Sequence, residues 1–107
     1  MSSTHPPENT IASLQTILDA ITTANYELFL TVGDSDYKTG ISKEMFDSVS
    51  SQLSPRMVEG YNMTYFGNLK QHEYQIYLWK LSFADGGDEF VARMAMSEDK
   101  VSGILIT

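Results

Sequence analysis

The sequence predicts an α+β fold in which N-terminal helices pack on one face of a four-stranded antiparallel meander sheet. Apolar residues recur at helical spacing through the first half, as at Leu14, Leu18 and Ile21. After Gly60 the period falls to two, the repeat of a strand. Short polar or glycine-containing segments, Lys70-Gln71-His72, Asp85-Gly86-Gly87-Asp88 and Glu98-Asp99-Lys100, then divide the second half as hairpin loops do. With 107 residues, 42% of them hydrophobic and 11% aromatic, the chain predicts one domain with enough core to fold without covalent staples.

Residues 1–7 are small, polar and proline-rich and read as a disordered leader, which leaves 8–107 as the domain. Pro7 and Glu8 suit a first helical turn, and Ile11, Leu14, Leu18 and Ile21 form one stripe of a helix running to Thr23. A second, shorter helix follows, with Asn25 as its cap, Tyr26, Phe29 and Leu30 facing inward and Gly33 at its end. Asp34-Ser35-Asp36 reads as a polar break. Ser42 then caps a third helix whose apolar positions are Met45, Phe46, Val49 and Leu53 and which Pro55 stops.

The predicted strands are 61–69, 74–84, 89–97 and 101–106. A two-residue Gly86-Gly87 turn sets Phe83 opposite Phe90, Leu81 opposite Ala92, Trp79 opposite Met94 and Tyr77 opposite Met96. A three-residue loop at Lys70-Gln71-His72 sets Tyr65 opposite Tyr77, Met63 opposite Trp79 and Tyr61 opposite Leu81. All of these residues share one face, because slipping by one residue brings Lys80 and Ser82 into it. The last strand has two registers open. One turns Val101, Gly103 and Leu105 inward and is favoured; the other turns Ile104 and Ile106 inward.

Composition narrows the function. The absence of cysteine excludes disulfides, thiolate metal sites and Cys nucleophiles. A formal charge of -7 disfavours nucleic acid, whose binding needs clustered Lys and Arg. No apolar run is long enough to span a membrane, and the N-terminus lacks a secretory signal, so the expected setting is cytoplasmic. The sequon Asn62-Met63-Thr64 falls inside a predicted strand and carries no weight. His5 in the leader and His72 in a loop offer no convergent metal ligands, and the Asp34 and Asp85 segments lack the spaced oxygens of a calcium loop.

Three amphipathic helices before an antiparallel meander, with the stretches Asn25-Tyr26-Glu27-Leu28-Phe29-Leu30 and Ile41-Ser42-Lys43-Glu44-Met45-Phe46, resemble the cystatin-like cone of the NTF2-like superfamily over residues 8–107. The resemblance implies a hollow between sheet and helices. In the superfamily's enzymes it implies an Asp, Glu or His projecting into that hollow, and it also implies pairing through the outer face of the sheet.

The expected wall of the hollow carries Tyr61, Met63, Tyr65, Tyr77, Trp79 and Met94 and no carboxylate or imidazole, so no catalytic residue, metal or cofactor is assigned. Asp19 and Glu27 lie on helices, and Asp19, at the boundary of the apolar stripe, is expected on a solvated face. The outer face gathers Phe66, Ile76, Leu78, Val91 and, in the favoured register, Ile104 and Ile106, together with Lys80 and Arg93 placed opposite each other. An apolar outer face predicts a non-catalytic interaction module that homodimerises sheet to sheet. The alternative is a binder of a small apolar or aromatic ligand in the Tyr- and Met-lined cone, with weak tyrosine-based acid catalysis.

Overall fold

The computed structural model describes residues 5–107. Four helices precede four strands: α1 (Glu8–Thr23), α2 (Tyr26–Leu30), α3 (Ser35–Gly40), α4 (Lys43–Val58), β1 (Tyr61–Gln71), β2 (Tyr74–Phe83), β3 (Phe90–Ser97) and β4 (Lys100–Ile106). The strands form one antiparallel sheet in the order β1-β2-β3-β4, with the helices on one side. The fold is α+β. Of the leader, residues 1–4 lie outside the described residues. Pro6 is buried and the Pro7 carbonyl accepts from the amides of Thr10 and Ile11, so the chain already packs before Glu8.

The buried stripe of α1 is Thr10, Leu14, Ile17, Leu18 and Ile21, while Ile11, expected inward, is exposed. Ala24 ends the helix in the left-handed conformation, and its amide and that of Asn25 return to the Ala20 carbonyl. Further orphan carbonyls at this end are satisfied by α4, where the Ser50 and Ser54 hydroxyls donate to Ile21 and Thr22 at 2.6 Å each. Serine therefore sits in the buried face of α4 beside Phe46, Leu53 and Met57. Met45 and Val49, expected in that face, are displaced to solvent.

Two helical expectations fail for local reasons. Asp34 is a cap rather than a break: its carboxylate accepts from the Tyr37 amide at 3.0 Å and starts α3, which is too short to show a period. Pro55 does not stop α4, because its ring lies on the exposed side and the turn beyond it is anchored twice. Met57 is buried, and the Arg56 guanidinium grips Asp85 (2.7 and 3.0 Å), donates to the Asp88 carbonyl (2.7 Å) and lies 4.0 Å over the Phe83 ring.

That grip changes the β2–β3 connection. Asp85 also accepts from the Gly87 amide, so residues 84–89 form an anchored loop instead of a two-residue turn. The register slides by two: Leu81 faces Phe90, Trp79 faces Ala92 and Tyr77 faces Met94. The first hairpin also slides by two, with Tyr65 opposite Trp79, Met63 opposite Leu81 and Tyr61 opposite Phe83, because His72 and Glu73, both at positive φ, make a two-residue turn and Phe66 bulges out of β1. An even slip preserves facing, so every residue expected inward on β1–β3 does face the helices.

In β4 the structure combines both open registers. Val101 points inward, an extra residue at Ser102 interrupts the ladder, and beyond it Ile104 and Ile106 lie opposite Met94 and Ala92 and pack on the core. Gly103 and Leu105, favoured as inward, lie on the outer face instead, opposite Ala95 and Arg93. The bulge is held by the Ser102 hydroxyl donating to Asp34, which ties β4 to the cap of α3. Gly33 bridges to Val101, and a Cβ there would stand 1.9 Å from the Tyr37 ring.

Two measurements check these placements. Gly33→Ala should cost about 1–3 kcal/mol in urea unfolding by overpacking against Tyr37. Gly40→Ala, which meets open space, should gain about 0.4–1 kcal/mol. Arg56 holds the Asp85 carboxyl at about 2, below its ordinary 3.8, so its contribution is full above 3.8 and lost as pH falls toward about 2. The melting-temperature gap between wild type and Arg56→Met should narrow over that interval, leaving the part due to the Asp88 carbonyl and the Phe83 ring; a gap unchanged down to the lower value would refute the coupling.

Candidate functional site

The cone wall is closed. Trp79 is 3% exposed and Met94 0%, Tyr77 is buried, and Tyr61, Met63 and Tyr65 are half-buried around them. Their rings pack on each other, Tyr65 and Tyr77 lying 5.6 and 6.2 Å from Trp79. The tyrosine hydroxyls at the edge are engaged locally: Tyr61 accepts from the Gln15 amide at 2.8 Å and Tyr65 from Asn68 at 2.9 Å. The residues proposed as a ligand lining are thus brought together, but as core. Asp19, which accepts from the same Gln15 amide that reaches Tyr61, and Glu27 are both exposed.

The most deeply placed hydroxyl, Tyr37, escaped the sequence reading. It donates to the Phe29 carbonyl at 2.9 Å, and burial pushes its ionisation far above the usual phenol range. It joins Tyr26, Phe29 and Phe46 in an aromatic cluster that fixes α2 and α3 on α4. A phenol so held keeps its proton and serves the fold. Among the described residues no group of His, Asp or Glu converges as metal ligands do.

Two hollows remain. A polar recess of about 300 Å³ lies between the start of α1 and the β1–β2 and β3–β4 turns. Gln75, whose buried Oε1 has no partner, and Tyr77 reach it, and Glu73, Glu98 and Asp99 rim it. The second is an apolar groove of about 140 Å³ between α2, α4 and the end of β4, lined by Phe29, Ile41, Met45, Val49, Ile104 and Ile106. It is smaller than the roughly 300–1,000 Å³ of typical small-molecule pockets.

The outer face differs from expectation in membership. Phe66, on the β1 bulge, is 60% exposed, and Leu78 and Val91 are half-buried. Ile104 and Ile106 have left for the core side, and Leu105, 55% exposed, takes their place. Ile76 is buried although it faces outward: Arg93, opposite Leu78, donates to Gln71 at 2.8 Å, and that bridge runs from β3 to β1 across the row of Ile76. Lys80 lies opposite Val91, not Arg93, and the hydrogen bond to Gln71 draws Arg93 away from it, so no carboxylate is needed between the two.

Charge is unevenly distributed. None of the four strands contains Asp or Glu, whereas Lys80, Arg93 and Lys100 all point from the outer face. Among the described residues none of these three is ion-paired. The 14 acidic residues all lie on helices and loops. The hydrophobic pattern alone did not disclose this, but counting charges strand by strand would have.

No family model matches the chain, and no curated protein matches it either.

Tyr37→Phe should destabilise by about 1–3 kcal/mol by leaving the buried Phe29 carbonyl unpaired, whereas Tyr65→Phe, at the rim, should stay within about 0.5 kcal/mol in the same denaturation assay. Equal costs would contradict the assignment of Tyr37 to the core and Tyr65 to its edge.

Proposed function

We propose that the protein is a non-catalytic interaction module that acts as a homodimer, an acidic member of the NTF2-like cones working in the cytoplasm. One contrast carries the reading: the cone is filled around Trp79 and Met94, while Phe66, Leu105 and Met45 keep more than half of their surface in water. A cone that holds a ligand needs space, and one that catalyses needs in addition a proton-transfer group that reaches that space, whereas the residues there are rings and thioethers packed on each other. Large apolar side chains left outside a filled core mark association surfaces, and a symmetric pair covers the same patch on both copies at once.

The small-ligand alternative has less support, since the wall residues named for it make up the core and the apolar groove is small. Native mass spectrometry of the purified protein separates the two readings. The expected species has twice the 12.0 kDa of the chain and carries no small molecule. A 12.0 kDa monomer at high micromolar concentration contradicts the dimer. A monomer retaining an apolar ligand favours the alternative.

A further inference from the structure

The homodimer reading leaves its contact surface open, and the inference here rests on it. The outer face is a poor candidate despite its apolar residues, because two copies stacked face to face would bring Lys80, Arg93 and Lys100 of each toward the same cations of the other. A second copy needs a surface free of unpaired charge.

The free edge of β4 is such a surface. Val91 and Thr107 exchange both backbone hydrogen bonds, at 2.9 and 3.1 Å. By the alternation of an antiparallel ladder, Leu105 and Gly103 also point their amides and carbonyls at β3, while those of Ile104 and Ile106 point off the sheet. The first half of the edge is already covered, since Val101 pairs with the segment Val32–Asp34 through bonds of 3.0 and 2.9 Å. Beyond the Ser102 bulge nothing comparable protects it among the described residues: residues 102–107 contain no charged side chain and no proline, the usual devices against edge pairing.

We infer that β4 pairs antiparallel with β4 of a second copy about a two-fold axis through Leu105, joining the two sheets into one. Ile104 then faces Ile106 of the other copy as a hydrogen-bonded pair, and each free donor and acceptor meets its complement. The exposed Leu105 meets its own copy on the outer side of the seam. On the helical side, Ile104 and Ile106 share the apolar groove with Met45 and Val49, so the α4 helices approach across the same axis by those exposed side chains. None of the residues lining that groove is charged, so the contact brings no like charges together in a chain of charge -7.

The test compares three variants of the full chain by sedimentation, with amide hydrogen exchange on the wild type. Ile106→Pro removes an edge donor that the β3–β4 ladder does not use. Met45→Lys with Val49→Lys puts charge on the α4 side of the seam at exposed positions, and Phe66→Lys with Leu78→Lys does the same on the outer face. Edge pairing requires that both seam variants weaken dimerisation at least about tenfold, that the outer-face variant leaves it intact, and that the Ile104 and Ile106 amides gain protection as concentration rises. Dimers lost only in the outer-face variant, or edge amides whose exchange ignores concentration, overturn the seam and leave the dimer reading standing. A wild type that never dimerises overturns both.

Discussion

Because β2 lies between β1 and β3, its alternation sets what every neighbouring strand presents to the helices. Tyr77, Trp79, Leu81 and Phe83 turn inward, and their cross-strand partners Met94, Ala92 and Phe90 on one side and Tyr65, Met63 and Tyr61 on the other must follow. The helices supply the opposing layer through Leu14, Leu18, Phe46 and Leu53. Once these side chains interdigitate at the density of a protein interior, the hollow implied by a cone has no room left, and the surfaces left outside the core decide the interactions available to the molecule.

How far the sequence discloses this depends on the length over which a pattern repeats. The facing of β1, β2 and β3 is legible because each strand is long enough for its alternation to be unambiguous and because both register errors were even. The loops that caused those errors were not legible. The Gly86-Gly87 pair reads as a tight turn, and only the Arg56 grip on Asp85, arriving from residues far away in the chain, makes it part of a longer one. The bulge at Ser102 is hidden for the same reason, since its hydroxyl answers to Asp34 on another element. In α4 two apolar rows run side by side, Phe46 with Leu53 and Met57, and Met45 with Val49, and nothing local says which row the sheet will take.

Of the candidate site, the wall residues were legible as a group and their role was not. Spacing identifies Tyr61, Met63, Tyr65, Tyr77, Trp79 and Met94 as one surface, but whether a surface encloses space or fills it depends on the volume of the helices laid against it. The outer face was legible in part: Phe66, Leu78 and Val91 are there, whereas Ile76 lies beneath the Arg93–Gln71 bridge and the β4 bulge exchanges Ile104 and Ile106 for Leu105. The segregation of charge, with acids on helices and loops and only cations on the strands, follows from the same alternation and bears most directly on how copies of the chain meet.

The closed cone rests on Trp79, the single tryptophan of the chain, being turned to the helices and sealed there. Its fluorescence reports that placement without substitution. A filled cone gives emission shifted to the blue of free tryptophan and little quenching by acrylamide until the protein unfolds. Emission like that of tryptophan in water, quenched freely in the folded protein, would mean that the alternation is reversed or the cone is open, and would contradict the structure's account of both faces.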